Sequence, residues 1–121
     1  MLTRDAALAL ADAWIRAWNA HDLEAILSHY ADDVDFVSPF IVKLLGDPSG
    51  TLRGKAALGA YFARALAAYP DLRFEPIAVL TSVGSLVHYY RSVGGLLAAE
   101  VMFLDERGKI ARVVAHYDAA P

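Results

Sequence analysis

One glutamate stands out among the side chains of this chain that could take part in chemistry. A carboxylate placed in a largely apolar cavity loses hydration, which raises its pKa toward the range of a general acid or hydrogen-bond donor. Glu100 is the leading candidate for such a group, and Tyr89 and Arg91 could hydrogen-bond it or orient a ligand. The alternative is a solvent-facing Glu100 or an ion pair with Arg91, because Glu is seldom buried unless it is paired.

Other reactive groups give weaker signals. The chain has no Cys, which excludes disulfides and thiol chemistry, and its four His residues show no pair at metal-ligand spacing. Asp32, Asp33 and Asp35 lack the spacing of a calcium loop and read as a solvated corner. No glycine motif follows a strand to bind phosphate. We therefore expect neither a metal nor a cofactor.

Length and composition favour one folded unit. The chain has 121 residues, is 57% hydrophobic and carries a formal charge of −3 with acids and bases interspersed. We expect one domain over residues 1–121 with a sizeable core. The chain has no basic face that would bind nucleic acid, and it has no apolar stretch long enough to span a membrane. Because Asp5 interrupts any apolar run at the N-terminus, a cytoplasmic protein is expected.

Helical periodicity is clear in the first half of the chain. Apolar residues predict a helix over 4–20 with Thr3 as N-cap and Leu8 on its apolar face. Asp22 can cap a second, short helix that includes Tyr30. A third helix over 55–69 ends before Pro70. Residues 40–53 read as a loop, although IVKLL could form a short turn of helix.

Alternating patterns predict the strands. The first covers 34–37, and four more cover about 73–81, 86–93, 96–104 and 110–118. A two-residue turn at Gly94-Gly95 would place Tyr89 opposite Glu100 and Arg91 opposite Ala98. A four-residue loop at 105–108 would place Glu100 opposite Val113. Tyr89, Arg91, Glu100, Met102, Val113 and Tyr117 then share one face of the sheet, and His88, Tyr90, Val101, Phe103, Ile110, Val114, His116 and Asp118 share the other.

Both faces are substantially apolar, so alternation alone does not identify the inner one. A one-residue error in either turn would also exchange the faces of the strands beyond it.

Several segments resemble the nuclear transport factor 2-like superfamily, especially its bacterial SnoaL-like branch of polyketide cyclase and ketosteroid isomerase-like proteins. They are WNAHDLEAILSHYADDVDFVSP, LRGKAALGAYF, YPDLRFE and FLDERGKI, and they span nearly the whole chain. The resemblance implies an α+β fold, a cone-shaped barrel in which three N-terminal helices pack on a strongly bent antiparallel sheet, as in a cystatin-like roll. Such a fold holds a pocket between the concave sheet face and the first and third helices.

The resemblance also assigns the inner face. In steroid isomerases of this superfamily, the catalytic acid falls on the face that matches Glu100, which makes Glu100 the catalytic candidate here. The expected ligand-binding residues around it are Trp14, Trp18, Tyr30, Phe36, Ser38, Phe62, Tyr89, Arg91, Met102, Val113 and Tyr117. His88 and His116 are then expected on the outer face.

Two positions depart from the isomerase pattern. The position of the general base holds Ser38, and the position of the tyrosine oxyanion donor holds Trp14. A Ser hydroxyl cannot abstract a proton near neutral pH without a separate base, and an indole can only donate. Steroid isomerase chemistry is therefore disfavoured. An epoxide hydrolase set is incomplete, since Asp118 points outward and only Glu100 and Arg91 remain.

Two functions stay open. The first is a cofactor-independent isomerase, cyclase or hydrolase that acts on a small hydrophobic or polyketide-like molecule through Glu100. The second is a non-catalytic ligand-binding or association module. In both, an apolar outer stripe of Tyr90, Val101, Phe103, Ile110 and Val114 predicts a homodimer.

Overall fold

A computed structural model describes residues 2–121 of the chain. Four helices are present: α1 (Arg4–Asn19), α2 (Leu23–Leu27), α3 (Pro39–Leu45) and α4 (Lys55–Ala68). Six strands are present: β1 (Tyr30–Val37), β2 (Thr51–Arg53), β3 (Glu75–Thr81), β4 (Ser85–Arg91), β5 (Leu97–Leu104) and β6 (Ile110–Tyr117). The fold is the expected α+β cone, in which helices pack on one sheet.

The sheet has the strand order β2-β1-β6-β5-β4-β3. All neighbouring strands are antiparallel except β1 and β6, which are parallel. The other four strands lie between β1 and β6 in the sequence. The first strand is longer than predicted, since Tyr30 begins β1 and does not belong to α2. The parallel β1–β6 pair makes the sheet mixed, whereas an antiparallel sheet was expected.

Local signals set the helix ends. The Thr3 side chain accepts a hydrogen bond from the Ala6 amide, and Asp22 accepts one from the Ala25 amide, so both predicted N-caps are present. The short helix that the sequence IVKLL could form is also present, because Ser38 is its N-cap and Pro39 is its first residue. Ala7 lies in the core, whereas Leu8, expected there, is 39% exposed.

The turn between β4 and β5 differs from the prediction and changes the side-chain faces. Arg91 pairs with Leu97, and the connection runs from Ser92 to Leu96, with the Ser92 amide donating to the Leu96 carbonyl at 2.6 Å. Gly94 and Gly95 do form the tip, both at positive φ. The β4–β5 pairing is shifted by one residue from the predicted register. Because side chains alternate along a strand, every side chain of β4 therefore lies on the face opposite to the expected one.

The turn between β5 and β6 differs from the prediction without that consequence. Glu100 pairs with Ala115 and Met102 with Val113, a shift of two residues from the expected partners. A shift of two keeps each side chain on its face. An irregularity between Phe103 and Leu104 lets Ile110 turn inward, so Ile110 is buried and does not belong to the outer stripe.

Candidate ligand-binding site

An internal chamber lies between the sheet and the helices α1, α3 and α4. The volume of this chamber that the centre of a water molecule can occupy is about 50 Å³. One water needs roughly 10–15 Å³ on that measure, so the chamber has room for a few waters or one compact organic group. Its lining consists of Trp14, Trp18, Phe36, Ser38, Phe40, Tyr61, Phe62, Ala65, Tyr69, Leu72, Phe74, Tyr90, Ser92, Val93, Glu100 and Tyr117.

Glu100 is the carboxyl group of this lining, and it is 2% exposed. Burial raises the pKa of Glu100 to about 7, because the charged form loses its hydration. The Tyr90 hydroxyl donates a hydrogen bond of 2.7 Å to Glu100 Oε2 and partly opposes that rise. A carboxyl group with this pKa can donate or accept a proton near neutral pH.

Three hydroxyl groups lie near the carboxyl group. Tyr61, Tyr117 and Ser38 line the same chamber. Burial, followed by the charge of Glu100, raises the pKa of Tyr117, whereas the Ser38 hydroxyl lowers it. Burial raises the pKa of Tyr61 as well, again against a lowering by Ser38. These hydroxyls therefore stay protonated and can act as hydrogen-bond donors.

Ser38 has a structural role that the sequence did not separate from a ligand role. Its Oγ accepts a hydrogen bond of 3.2 Å from the Phe40 amide and so caps α3. The same residue joins the end of β1 to the chamber wall. Its position is thus fixed by the helix, while its hydroxyl proton stays available to the tyrosines or to a ligand.

Aromatic rings form most of the chamber wall. Trp14 stacks on Phe74 with centroids 5.7 Å apart, and Trp18 meets Phe62 edge to face at 4.8 Å. The Trp14 Nε1 group donates to the Tyr30 hydroxyl at 2.9 Å, so Trp14 offers a ligand its ring and not its N–H. These contacts hold the wall rigid and leave it apolar.

The structure brings many of the sequence candidates together. Trp14, Trp18, Phe36, Ser38, Phe62, Glu100 and Tyr117 all line the chamber. Tyr30, Met102 and Val113 are fully buried but lie behind the lining, where they support it.

Tyr89 and Arg91 are corrections to the predicted site. Tyr89 pairs with Ala99 instead of Glu100, and Arg91 with Leu97 instead of Ala98, so both lie on the face away from the chamber. Tyr90 takes the predicted place of Tyr89. The cause is the odd number of residues in the turn, which the two glycines alone did not reveal.

Further lining residues were missed as site residues. Tyr61 and Tyr69 fall within the predicted third helix, and helical periodicity indicates burial but not a cavity. Phe40 lies in α3, within a segment that the sequence indicated as a loop, and Val93 lies in the turn after β4, where strand alternation gives no direction. Phe74 directly precedes β3 and is held by Asn19, whose side chain bonds the Phe74 backbone in both directions.

His88 is the second correction on β4. It was expected on the outer face, but it is 1% exposed and pairs directly with Glu100 across the β4–β5 ladder. Burial lowers the pKa of His88 to about 4, and neither ring nitrogen has a hydrogen-bond partner. Its ring packs against Trp14 and Tyr90, each with centroids 5.2 Å away, so it stands behind the chamber wall.

The remaining polar candidates have structural contacts. His21 adopts a positive φ of 55° in the turn after α1, and its Nε2 lies 2.8 Å from the Leu72 carbonyl. His116 is exposed on the outer face. Asp32, Asp33 and Asp35 lie within β1 and not in the expected corner; Asp35 pairs with Arg53 at 3.3 Å and Asp32 with Lys55 at 3.7 Å.

Within residues 2–121, no group of three or more His, Asp or Glu side chains could hold a metal ion. The same residues include no helix that is both long enough and apolar enough to cross a membrane.

The fold and the chamber place the chain in a known class. The SnoaL-like domain family matches residues 11–118, and the chain belongs to that family. A SnoaL-like protein of unknown function from Burkholderia thailandensis is similar along its length: it is 48% identical, with a TM-score of 0.93, over 97% of this chain and 98% of that one.

More distant structures share the fold. A SnoaL-like family protein of Agrobacterium tumefaciens, provisionally described as an isomerase, is 20% identical with a TM-score of 0.74 over 95% of this chain and 99% of that one. A Mycobacterium tuberculosis protein is 26% identical with the same TM-score of 0.74, over 98% of this chain and 95% of that one. A search of curated protein sequences gave no significant match.

Proposed function

We propose that this protein is a cofactor-independent enzyme that transfers a proton on a small, largely apolar carbonyl compound, such as a polyketide-like molecule. The observation that carries the proposal is the buried carboxyl group of Glu100, which faces an aromatic chamber and has a pKa raised to about 7 by burial. A general base or acid is most effective when its pKa lies near the working pH.

A single carboxyl group is sufficient for this chemistry. The Glu100 carboxylate removes a proton from the carbon next to the substrate carbonyl, and the electron pair of that C–H bond forms the enolate. Hydroxyl groups of Tyr61 and Tyr117 are suitable donors to the enolate oxygen. For isomerisation, Glu100 returns the proton to another carbon of the enolate. For cyclisation, the enolate carbon attacks a second carbonyl carbon of the substrate, and Glu100 gives its proton to the alkoxide oxygen that forms. Both routes restore the carboxylate and need no second base.

Hydrolysis fits the chamber less well. Attack by water on an epoxide needs a base for the water, an acid for the leaving oxygen and a group that orients both. Glu100 is the carboxyl group of the lining, and Arg91 lies on the other face of β4. Proton transfer within an isomerase or cyclase reaction is therefore the favoured member of the three reaction types.

Exchange of substrate hydrogen for deuterium tests the proposal directly. Acetophenone is a compact ketone, and in D₂O an enzyme that forms its enolate would label the methyl group, which NMR detects. We expect exchange above the buffer rate, rising as pH increases through about 7 because the carboxylate is the base. Glu100→Gln should lower the rate roughly 10²–10⁴-fold.

Tyr89→Phe is the matched control, because Tyr89 lies on the neighbouring strand but on the opposite face. Its rate should stay near that of the wild type. Wild-type exchange no faster than buffer, or exchange retained in Glu100→Gln, would remove the proposed role of Glu100.

A non-catalytic ligand-binding module is the second candidate. The small size of the chamber favours it, because aromatic rings already fill most of the space between helices and sheet. This function predicts saturable binding of a small apolar molecule that is recovered unchanged after long incubation. Mass spectrometry of the recovered molecule separates the two candidates.

We also propose a homodimer through the outer sheet face. The inward turn of Tyr90 and Ile110 removes them from the expected stripe, but a row of Leu80, Val87, Val101 and Val114 crosses four strands on that face. Phe103 adds a ring that is 38% exposed. Apolar area of this kind is usually covered by a partner.

Light scattering at micromolar concentration should give twice the chain mass. Val101→Lys, in the middle of the row, should give a monomer. Val83→Lys is the control, because Val83 is exposed at the end of the sheet and outside the row. A monomeric wild-type protein would contradict the proposal.

A further inference from the structure

We infer that the ligand has two parts, a compact apolar ring in the chamber and an uncharged polar tail in an adjoining surface cleft; the inference rests on the proposed function of the chamber. The tail carries a group that both donates and accepts hydrogen bonds, for which a carboxamide is the simplest example.

The first observation is the difference in size between two neighbouring spaces. The volume that the centre of a water molecule can occupy is about 50 Å³ in the chamber and about 480 Å³ in the cleft. The chamber can hold one ring but little more. A larger ligand must therefore continue outside it.

The second observation is that the two spaces share a rim. Tyr69, Leu72, Ser92 and Val93 line both. Tyr69 follows the end of α4 and meets Phe40 edge to face at 5.9 Å, and Val93 begins the short 3₁₀ turn before Gly94 and Gly95. The rim therefore lies between an aromatic side chain and a glycine turn, and in this inference the ligand extends across the rim from the chamber into the cleft.

The third observation is the chemistry of the cleft. Its lining carries two guanidinium groups, Arg73 and Arg91, and two carboxylates, Asp71 and Glu75. Among residues 2–121, none of these four groups forms an ion pair within 4.0 Å. Arg91 Nη1 donates a hydrogen bond of 2.9 Å to the Gly95 carbonyl, which also lines the cleft.

The two positive and two negative side chains give the cleft lining no net formal charge. It offers donors and acceptors together. An uncharged amide uses both, since its oxygen accepts from a guanidinium and its NH₂ group donates to a carboxylate.

A second cleft meets the same rim and is the weaker candidate for the tail. It is lined in part by Lys43, Leu96 and Pro121 and gives about 250 Å³. It shares Phe40, Tyr69 and Val93 with the chamber but has fewer side chains that can hydrogen-bond a ligand. This makes Lys43 a useful control position.

Three probes and two variants test the inference by calorimetry or NMR titration at pH 6. Toluene has the ring alone, 4-phenylbutanamide adds a three-carbon chain and the amide, and 4-phenylbutanoate replaces that amide with a carboxylate of the same shape. We expect the amide to bind more tightly than both others. Arg73→Gln should weaken amide binding roughly three- to tenfold, the value of one hydrogen bond, and leave toluene unchanged.

Lys43→Gln makes the same kind of substitution in the second cleft and should change neither affinity. Three results would each overturn the inference: amide binding unchanged in Arg73→Gln, carboxylate binding tighter than amide binding, or amide binding weakened by Lys43→Gln alone. If toluene still binds in these cases, the proposed function of the chamber is not affected. Failure of toluene to bind at all would instead count against the chamber as a ligand site.

Discussion

The inner and outer faces of β4, β5 and β6 differ little in residue type and greatly in environment. The inner face holds His88 and Glu100 side by side among buried apolar side chains, whereas the outer face holds His116 in an exposed position. Burial is the main cause of the changed acid-base behaviour of the inner pair. The comparison shows that the position of a side chain relative to the sheet, more than its type, decides whether it can do chemistry.

The inner pair also reverses the usual order of protonation. In water a His is protonated to a higher pH than a Glu. Here burial brings the pKa of Glu100 to about 7 and that of His88 to about 4, so between those values both are neutral and form no ion pair. A neutral pair avoids the desolvation cost of two buried charges.

The largest expected effect is on stability between pH 4.5 and 7. Glu100 has a pKa of about 7 when folded and 4.5 when exposed, so its unfavourable contribution is absent below pH 4.5 and complete above pH 7. By linkage this costs on the order of 3 kcal/mol. Because His88 has the opposite slope over most of this interval, the wild type should change little, and Glu100→Gln should instead show stability that rises with pH up to about 6.5 in urea unfolding at a series of pH values. A variant with the wild-type slope would contradict the buried state of Glu100.

The opposite pH dependence is expected from His88. Its pKa is 6.5 when exposed and about 4 when folded, so stability is complete above pH 6.5 and falls as pH decreases toward 4. The loss is again on the order of 3 kcal/mol. Since Glu100 offsets this loss in the wild type, His88→Phe should give a stability that declines as pH rises from 4.5 to 7, whereas the exposed His116→Phe, as the matched control, should keep the wild-type profile. Equal behaviour of the two variants would show that the faces do not differ.

A smaller effect is expected from Tyr90. Its hydroxyl hydrogen bond favours the charged form of Glu100, so Tyr90→Phe should raise the Glu100 pKa further above its present value. A hydrogen bond to a charged group is worth about 1.5–3 kcal/mol. Carbon NMR of the labelled Glu100 carboxyl group measures this pKa, and Tyr89→Phe is the control. An unchanged pKa in Tyr90→Phe would mean that the hydrogen bond does not contribute.

The smallest effect comes from one pair of neighbouring valines. Val113 is 0% exposed on the inner face and Val114 is half-buried on the outer face of the same strand. Val113→Ala should cost about 2 kcal/mol of unfolding free energy, because it removes buried methyl groups and leaves a cavity. Val114→Ala should cost less than about 1 kcal/mol for the monomer. Equal losses by urea unfolding would contradict the assignment of the faces.

Some features could be predicted from local sequence because their causes are local. Thr3, Asp22 and Pro70 act within one turn of the helices that they start or end, and the predicted helices occur there. The resemblance to SnoaL-like proteins, read from segments spread along the chain, also gave the fold class and the inward direction of Glu100.

Tyr89, Arg91 and His88 could not be placed correctly in this way. Their faces depend on how many residues the chain uses between Arg91 and Leu97, and two glycines are compatible with turns of different length. The size of the chamber was also beyond prediction, since it depends on how rings from α1, β1 and α4 pack against each other.

The amino-acid sequence by itself determined three of the helices, five of the strands in part or whole, and the presence of one glutamate able to act as an acid or base. Only the tertiary structure decided that this glutamate faces His88 and Tyr90 at the edge of a small aromatic chamber. The physical reason is that periodicity and capping are properties of neighbouring residues, whereas strand register and burial are set by contacts between residues far apart in the chain.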